Sequence, residues 1–188
     1  MFATLSKWAS FVKVSHTIFA LPFALASMVV AARENRGWPG GRVFGLILLA
    51  MVCARTCAMA FNRIVDRRFD AANPRTANRH PVTGEISLGS AVLLCALSGA
   101  GLVVAAGLLN PLCLWLSPVA LFFVCFYSLT KRFTDFTHVW LGVALAIAPI
   151  GAWLAVEGRV DFLPAGVGET GLGALKFGAA VPLVLALA

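Results

Sequence analysis

Asn62, Asp66 and Asp70 recur every four residues in the stretch Asn62-Arg63-Ile64-Val65-Asp66-Arg67-Arg68-Phe69-Asp70. On a helix, positions i, i+4 and i+8 fan over one face. Arg55, seven residues before Asn62, falls on the same stripe. Two carboxylates and an amide are hard oxygen donors of the kind Mg²⁺ takes while keeping several waters and bridging to a ligand's phosphates. Arg63, Arg67, Arg68, Arg75, Arg79, Lys131 and Arg132 are available for the remaining phosphate oxygens. A diphosphate held in this way is a good leaving group, because metal and cations stabilise the charge that develops on it. The plain alternative is that Asp66 and Asp70 only pair with neighbouring arginines on a solvated helix end. Arg55 argues against that alternative. It lies inside an apolar run, where an arginine is costly unless it has a partner or a task.

The elements that must position these groups are membrane spans. The chain has 188 residues, 60% hydrophobic and 12% charged, with a mean hydropathy of +0.89. Soluble domains are about 45–50% apolar and about 25% charged. The composition therefore predicts an all-α, polytopic transmembrane helix bundle, forming one domain over residues 1–188. Met1 to Lys13 reads as a lead-in helix on the membrane surface, with Phe2, Leu5, Trp8, Ala9 and Val12 on one side. Spans are expected at Val14 to Ala32, Val43 to Phe61, Ser87 to Leu109, Leu112 to Leu129 and Val139 to Val156, with Pro22 and Pro149 as kink candidates. The second span continues into the acidic motif, and Asn110-Pro111 makes a tight turn. Leu172 to Ala188 starts a sixth apolar segment that stops short of the roughly 20 residues a crossing needs, so the chain reads as cut within that helix.

A cleaved signal peptide is the other reading of the N-terminus. The 19 apolar residues after Lys13 exceed the roughly 7–15 of a signal core, so a retained first helix is expected. Net charge is +7. The cations lie in loops and form no long tract, which speaks against nucleic acid as a partner and for membrane lipid and a phosphorylated ligand. Nine of them (Lys7, Lys13, Arg63, Arg67, Arg68, Arg75, Arg79, Lys131, Arg132) fall on the side of the N-terminus and the acidic motif, against five on the other. This places the motif in the cytoplasm. Cys53, Cys57, Cys95, Cys113 and Cys125 form no CxxC pair and read as small packing residues, with neither disulfide nor zinc expected. The five tryptophans, Trp38, Trp115 and Trp140 among them, read as interfacial anchors. His80 and His138 read as loop or interface residues, and Asp135 as a helix cap.

The motif resembles the NxxxDxxxD signature of the UbiA superfamily of intramembrane prenyltransferases, most closely its 4-hydroxybenzoate polyprenyltransferase group. The likeness continues through Asn73-Pro74-Arg75-Thr76, Arg79 and Pro81-Val82-Thr83-Gly84. Lys13 to Phe23 is similar to the group's first helix, Tyr127 to Thr134 to the end of its fourth, and His138, Leu141-Gly142 and Ala148 to Ala152 to its fifth.

The resemblance implies about nine spans around a cavity open near the cytoplasmic face of a bacterial inner membrane. There an allylic polyprenyl diphosphate would bind with Mg²⁺ between two Asp-rich motifs. Loss of diphosphate would leave an allylic cation that alkylates an aromatic acid acceptor, 4-hydroxybenzoate in this group, on the way to ubiquinone. By position, Asn62, Asp66 and Asp70 would hold metal and diphosphate as the catalytic set. Tyr127, Ser128, Lys131 and Arg132 would lie near diphosphate or tail, Arg55 and Arg79 would be cavity cations, and Lys13 and His16 would stand on the acceptor side. The second motif is not found, since Asp135 and Asp161 are isolated, so these 188 residues alone are expected to be inactive. Enzymes of the superfamily with menaquinone-type or haem O-type acceptors share the first motif. CDP-alcohol phosphotransferases need DG followed by AR, which Asp66-Arg67 and Asp70-Ala71 do not supply. A transporter or assembly subunit with a charged cavity is the reading outside enzymes.

Overall fold

The structure, a computed structural model, describes Trp8, residues 10–12, 14–34, 37–72, 86–130, Phe133 and 137–158, with side chains for all of these except 14–20, 34 and 137. Among the described residues five long helices follow one another: α1 (Val14–Glu34), α2 (Gly41–Ala72), α3 (Leu88–Leu109), α4 (Pro111–Thr130) and α5 (Thr137–Glu157). Among the described residues, α2, α3, α4 and α5 are long and apolar enough to cross a membrane, while the apolar stretch described in α1, Leu21–Arg33, is shorter. The expected sixth segment, Leu172 to Ala188, lies outside the described residues.

The length of α2 is what delivers the acidic motif. No proline and no glycine beyond Gly45 interrupts its 32 residues. At 1.5 Å per residue it runs ~48 Å, against a hydrocarbon thickness of roughly 30 Å. Counted from Gly41, Asn62 stands ~32 Å along and Arg55 ~21 Å. Asn62 thus falls at the membrane boundary and Arg55 about two turns inside it. At the other end, Gly40 enters the helix at φ 92°, a left-handed conformation that glycine adopts without cost. Arg42 there donates from Nη2 to Leu108 O at 3.1 Å, tying the start of α2 to the end of α3.

α2 packs most extensively on α3, and α1 on α5, with α4 lying against α2, α3 and α5. The α2–α3 approach depends on small residues, as helix contacts in lipid do. A Cβ at Gly101 would stand 2.8 Å from Cys53 Sγ, and one at Gly99 would stand 3.6 Å from Cys57 Sγ. Cys57 Sγ in turn lies 3.7 Å from Cys95 Sγ, so these thiols fill the helix seam as expected. Ala24, Met28, Ile47, Met51, Ala152 and Ala155 form a core shared by α1, α2 and α5. Within it, the fully buried Ser27 donates to Pro149 O at 2.7 Å. In the described helices, Pro22, Pro118 and Pro149 sit within continuous helix.

Two expectations need correcting. Phe11, which lay off the expected apolar side of the lead-in, is fully buried against Ala60, Ile86 and Ala91, with Trp8 and Val12 beside it. That segment is anchored into the bundle by one large ring, which no surface helix would need. Trp38 and Trp115 are exposed, as interfacial anchors should be. Trp153, however, is buried against Ala31, and Trp140 packs on Phe123 and Phe126. Each packs on a neighbouring helix, Trp153 on α1 and Trp140 on α4, where bulk and not amphipathy selects the residue.

Asn110 closes the end of the bundle away from the motif. Its Oδ1 accepts from Cys113 N at 2.8 Å as the cap of α4, while its Nδ2 donates to Leu154 O at 3.0 Å. One side chain thus joins the α3–α4 turn to α5. Asn110→Ala removes a cap worth about 1 kcal/mol and leaves a carbonyl contact unmade, for a loss of about 1–3 kcal/mol. A lowered unfolding temperature in detergent is the expected result, and an unchanged one would show that the turn holds itself.

Candidate intramembrane active site

The last turns of α2 present two different sides. Asn62 (8% exposed), Arg63 (7%) and Asp70 (7%) are buried and Asp66 is half-buried, whereas Arg67, Arg68 and Phe69 are exposed. The face carrying Asn62, Asp66 and Asp70 therefore turns into the protein. Burial of Arg63 was not foreseen. It sits about 100° round the helix from Asn62, so the inward face is wider than the four-residue spacing marks.

α4 meets this face. Asn62 Nδ2 donates to Ser128 Oγ at 3.3 Å, and Ser128 is fully buried. The amide oxygen of Asn62 is then the end that can turn to a cation. Next to Ser128, Tyr127 lines a cavity of about 300 Å³, the low end of ligand-pocket size. The cavity lies between α2, α3, α4 and α5. It runs from Arg55, Ala58 and Tyr127 below the acidic face to Leu109, Cys113 and Leu154 near the Asn110 cap. Its walls are almost wholly aliphatic, apart from Phe123, Tyr127, Ser117, Cys113 and Arg55. Arg55 is half-buried, and its Nε is fully buried with no hydrogen-bond partner among the described residues.

Of the residues singled out in the sequence, Arg55 and Tyr127 line the cavity, Asn62 is bonded to Ser128 about two turns further along α2 from Arg55, and Asp66 and Asp70 follow beyond Asn62 on the same face. Lys13, Arg79, Lys131 and Arg132 lie outside the described residues, as does the side chain of His16, whose backbone is in α1. Phe123 carries no mark in the sequence and Trp140 reads there only as an interfacial anchor; the packing of α4 on α5 is what brings the two together. Among the described residues, no cluster of three or more His, Cys, Asp or Glu forms a ready-made metal cage. The donor set fits a cation that keeps waters and completes its shell on a ligand's phosphates, which is the habit of Mg²⁺, and does not fit a closed structural metal.

With four membrane-length apolar helices among its described residues, the chain is an integral membrane protein, and its buried acidic helix face and apolar cavity lie within that bundle. Residues 20–188 match the UbiA prenyltransferase family, and the chain belongs to it. It is 37% identical over 125 residues to a 4-hydroxybenzoate octaprenyltransferase of Methylobacillus flagellatus, covering 66% of this chain and 42% of that protein. It is 33% identical over 139 residues to the Shewanella woodyi protein of the same name, covering 72% and 46%. The apo structure of a UbiA homolog from Aeropyrum pernix K1 superposes with a TM-score of 0.75 at 31% identity, over 92% of this chain and 60% of that one. The chain spans about half the length of the curated relatives it matches.

Proposed function

We propose that the protein transfers a polyprenyl group from an allylic polyprenyl diphosphate to 4-hydroxybenzoate in a Mg²⁺-dependent reaction, at the cytoplasmic side of a bacterial inner membrane. The observation that carries this reading is the inward turn of Asn62, Asp66 and Asp70 on the helix whose preceding turns, at Arg55 and Ala58, line an apolar cavity. A diphosphate head and an isoprenoid tail need those two surroundings in that order. The names of the matched relatives favour 4-hydroxybenzoate as acceptor.

Asp66, Asp70 and the Asn62 amide oxygen would hold Mg²⁺ together with the diphosphate. The bound cation would stabilise the charge developing on the leaving group. Asn62 is oriented by its bond to Ser128. The aliphatic walls take the tail and exclude water, which would otherwise capture the cation. Arg55 offers a partly buried guanidinium to an anionic group entering the cavity. The allylic C–O bond breaks, with its electron pair staying on the diphosphate. The ring carbon ortho to the acceptor hydroxyl forms the new C–C bond, and the proton it loses goes to the diphosphate.

Ser128→Ala tests the positioning role. Groups that orient metal ligands are typically worth 10–100-fold in metal affinity. The Mg²⁺ concentration for half-maximal activity should rise about tenfold, with maximal rate at saturating Mg²⁺ largely kept. The function itself is tested with the full-length protein in membranes supplied with polyprenyl diphosphate and 4-hydroxybenzoate. A prenylated hydroxybenzoate that forms with Mg²⁺ and is abolished by chelation is expected. Prenylation of a naphthoate or of haem in its place would move the acceptor, and transport of a solute without Mg²⁺-dependent diphosphate binding would remove the enzyme reading.

A further inference from the structure

We propose that Phe123 is the aromatic face against which the allylic cation forms, and that Trp140 holds it there. The proposal rests on the prenyl-transfer reading above and assigns a residue to its ionisation step.

Phe123 lies four residues before Tyr127 on α4, and both line the cavity. Ser128, beside Tyr127, is bonded to Asn62 at the acidic face. Phe123 therefore stands five residues, ~7.5 Å along the helix axis, below Ser128 and the Asn62 level at which the diphosphate would be held. That is the depth of the first isoprene unit, whose C1 and C3 share the positive charge once the C1–O electron pair has left with the diphosphate.

The ring is fixed in place. Its centroid is 5.9 Å from Trp140 with planes 29° apart, a stacked pair. Trp140 is braced edge-on by Phe126 at 5.3 Å and 72°. Phe122 meets Phe123 edge-on at 5.6 Å and stacks on Phe126 at 5.0 Å. A ring locked on two sides cannot swing away as charge develops, so its quadrupole is preorganised.

The rest of the cavity wall explains why a π face is needed. Among the described lining residues no carboxylate is present, and Arg55 is itself a cation. A carboxylate or a water at that depth would stabilise the allylic cation but could also capture it through a lone pair. An aromatic face attracts the cation without offering a lone pair. Phe122 and Phe126 are not among the cavity-lining residues, and Tyr127, the other lining ring, carries a hydroxyl whose lone pair could capture the cation, so the role falls to Phe123. A desolvated cation–π contact of ordinary strength corresponds to on the order of thirtyfold in rate.

The structural alternative is that Phe123 only fills space. Fluorination separates the two, because it withdraws ring electron density with little change of shape. The full-length protein in nanodiscs, carrying mono-, di- and trifluorophenylalanine at position 123, is assayed for single-turnover prenylation. Mg²⁺-dependent binding of an unreactive thiolo prenyl diphosphate is measured in parallel. The expected result is a stepwise fall in rate with each fluorine, reaching about thirtyfold, with binding unchanged within about twofold. Phe123→Leu should reach a similar loss, again with binding kept. A rate that stays flat across the fluorinated series overturns the proposal while leaving the prenyl-transfer reading intact. Failure of the unsubstituted protein to bind the thiolo analogue with Mg²⁺ overturns both.

Discussion

Asp66→Asn is expected to lower turnover with polyprenyl diphosphate by at least 10²–10³-fold while leaving expression and membrane insertion intact, the range seen when one preorganised charge-stabilising group is removed. The substitution keeps size and helix propensity nearly constant but removes a full negative charge from a half-buried position between Asn62 and Asp70. Mg²⁺ holds few protein ligands and relies on carboxylates among them. With Asp66 neutral, that face keeps one carboxylate and one amide, and the diphosphate meets fewer compensating positive charges as it leaves. Raising Mg²⁺ should restore only part of the activity. Steady-state rates across a Mg²⁺ titration are the check, with protein level and thermal unfolding as controls. Full activity in a correctly inserted variant would remove Asp66 from the reaction.

The second large effect has two signs. Arg55→Met should raise the unfolding temperature of the substrate-free protein and at the same time raise KM for an anionic substrate. In the free protein a guanidinium stands about two turns inside the membrane, its Nε buried without a hydrogen-bond partner among the described residues and the cavity around it mostly aliphatic. Charged groups at such depth cost roughly 2.5–3.5 kcal/mol by insertion scales, and replacing buried charges by apolar residues of similar volume commonly gains about 1–4 kcal/mol. Hydrogen bonds to charged groups contribute about 1.5–3 kcal/mol, so losing one to a substrate corresponds to roughly 10–150-fold in KM. The substrate whose KM rises identifies the group Arg55 meets, diphosphate or acceptor carboxylate. A variant that is less stable and has unchanged KM values would make Arg55 a structural residue.

What could be seen in the sequence follows from which interactions are local. The continuity of α2 was legible because nothing between Gly45 and Ala72 breaks a helix, and a four-residue spacing on such a helix has only one geometric meaning. The boundaries of α3 and α4 were legible for the same reason: Ser87 and Asn110 are local caps whose side chains accept from backbone three residues on. The burial of Arg63 and Trp153 was not legible. Each depends on what packs against it, and composition marks arginine for loops and tryptophan for interfaces. The bonds Asn62–Ser128 and Ser27–Pro149 join residues 66 and 122 positions apart, for which no periodicity in one segment gives a sign. Phe123 escaped notice because aromatic residues are common in membrane helices, and only its place between the cavity and Trp140 distinguishes it.

The joint placement of head and tail is open to one direct measurement. A prenyl diphosphate carrying a photoreactive group in its first isoprene units is crosslinked to the protein in nanodiscs, with and without Mg²⁺, and the adducts are mapped by peptide mass. Adducts should form only with Mg²⁺ and fall on cavity residues of α4 and α5, such as Phe123 and Ala148. Adducts confined to the exposed outer surfaces, such as Leu97 of α3 or Trp115 of α4, or formed equally without Mg²⁺, would contradict a diphosphate held by the acidic face of α2 with its tail between the helices.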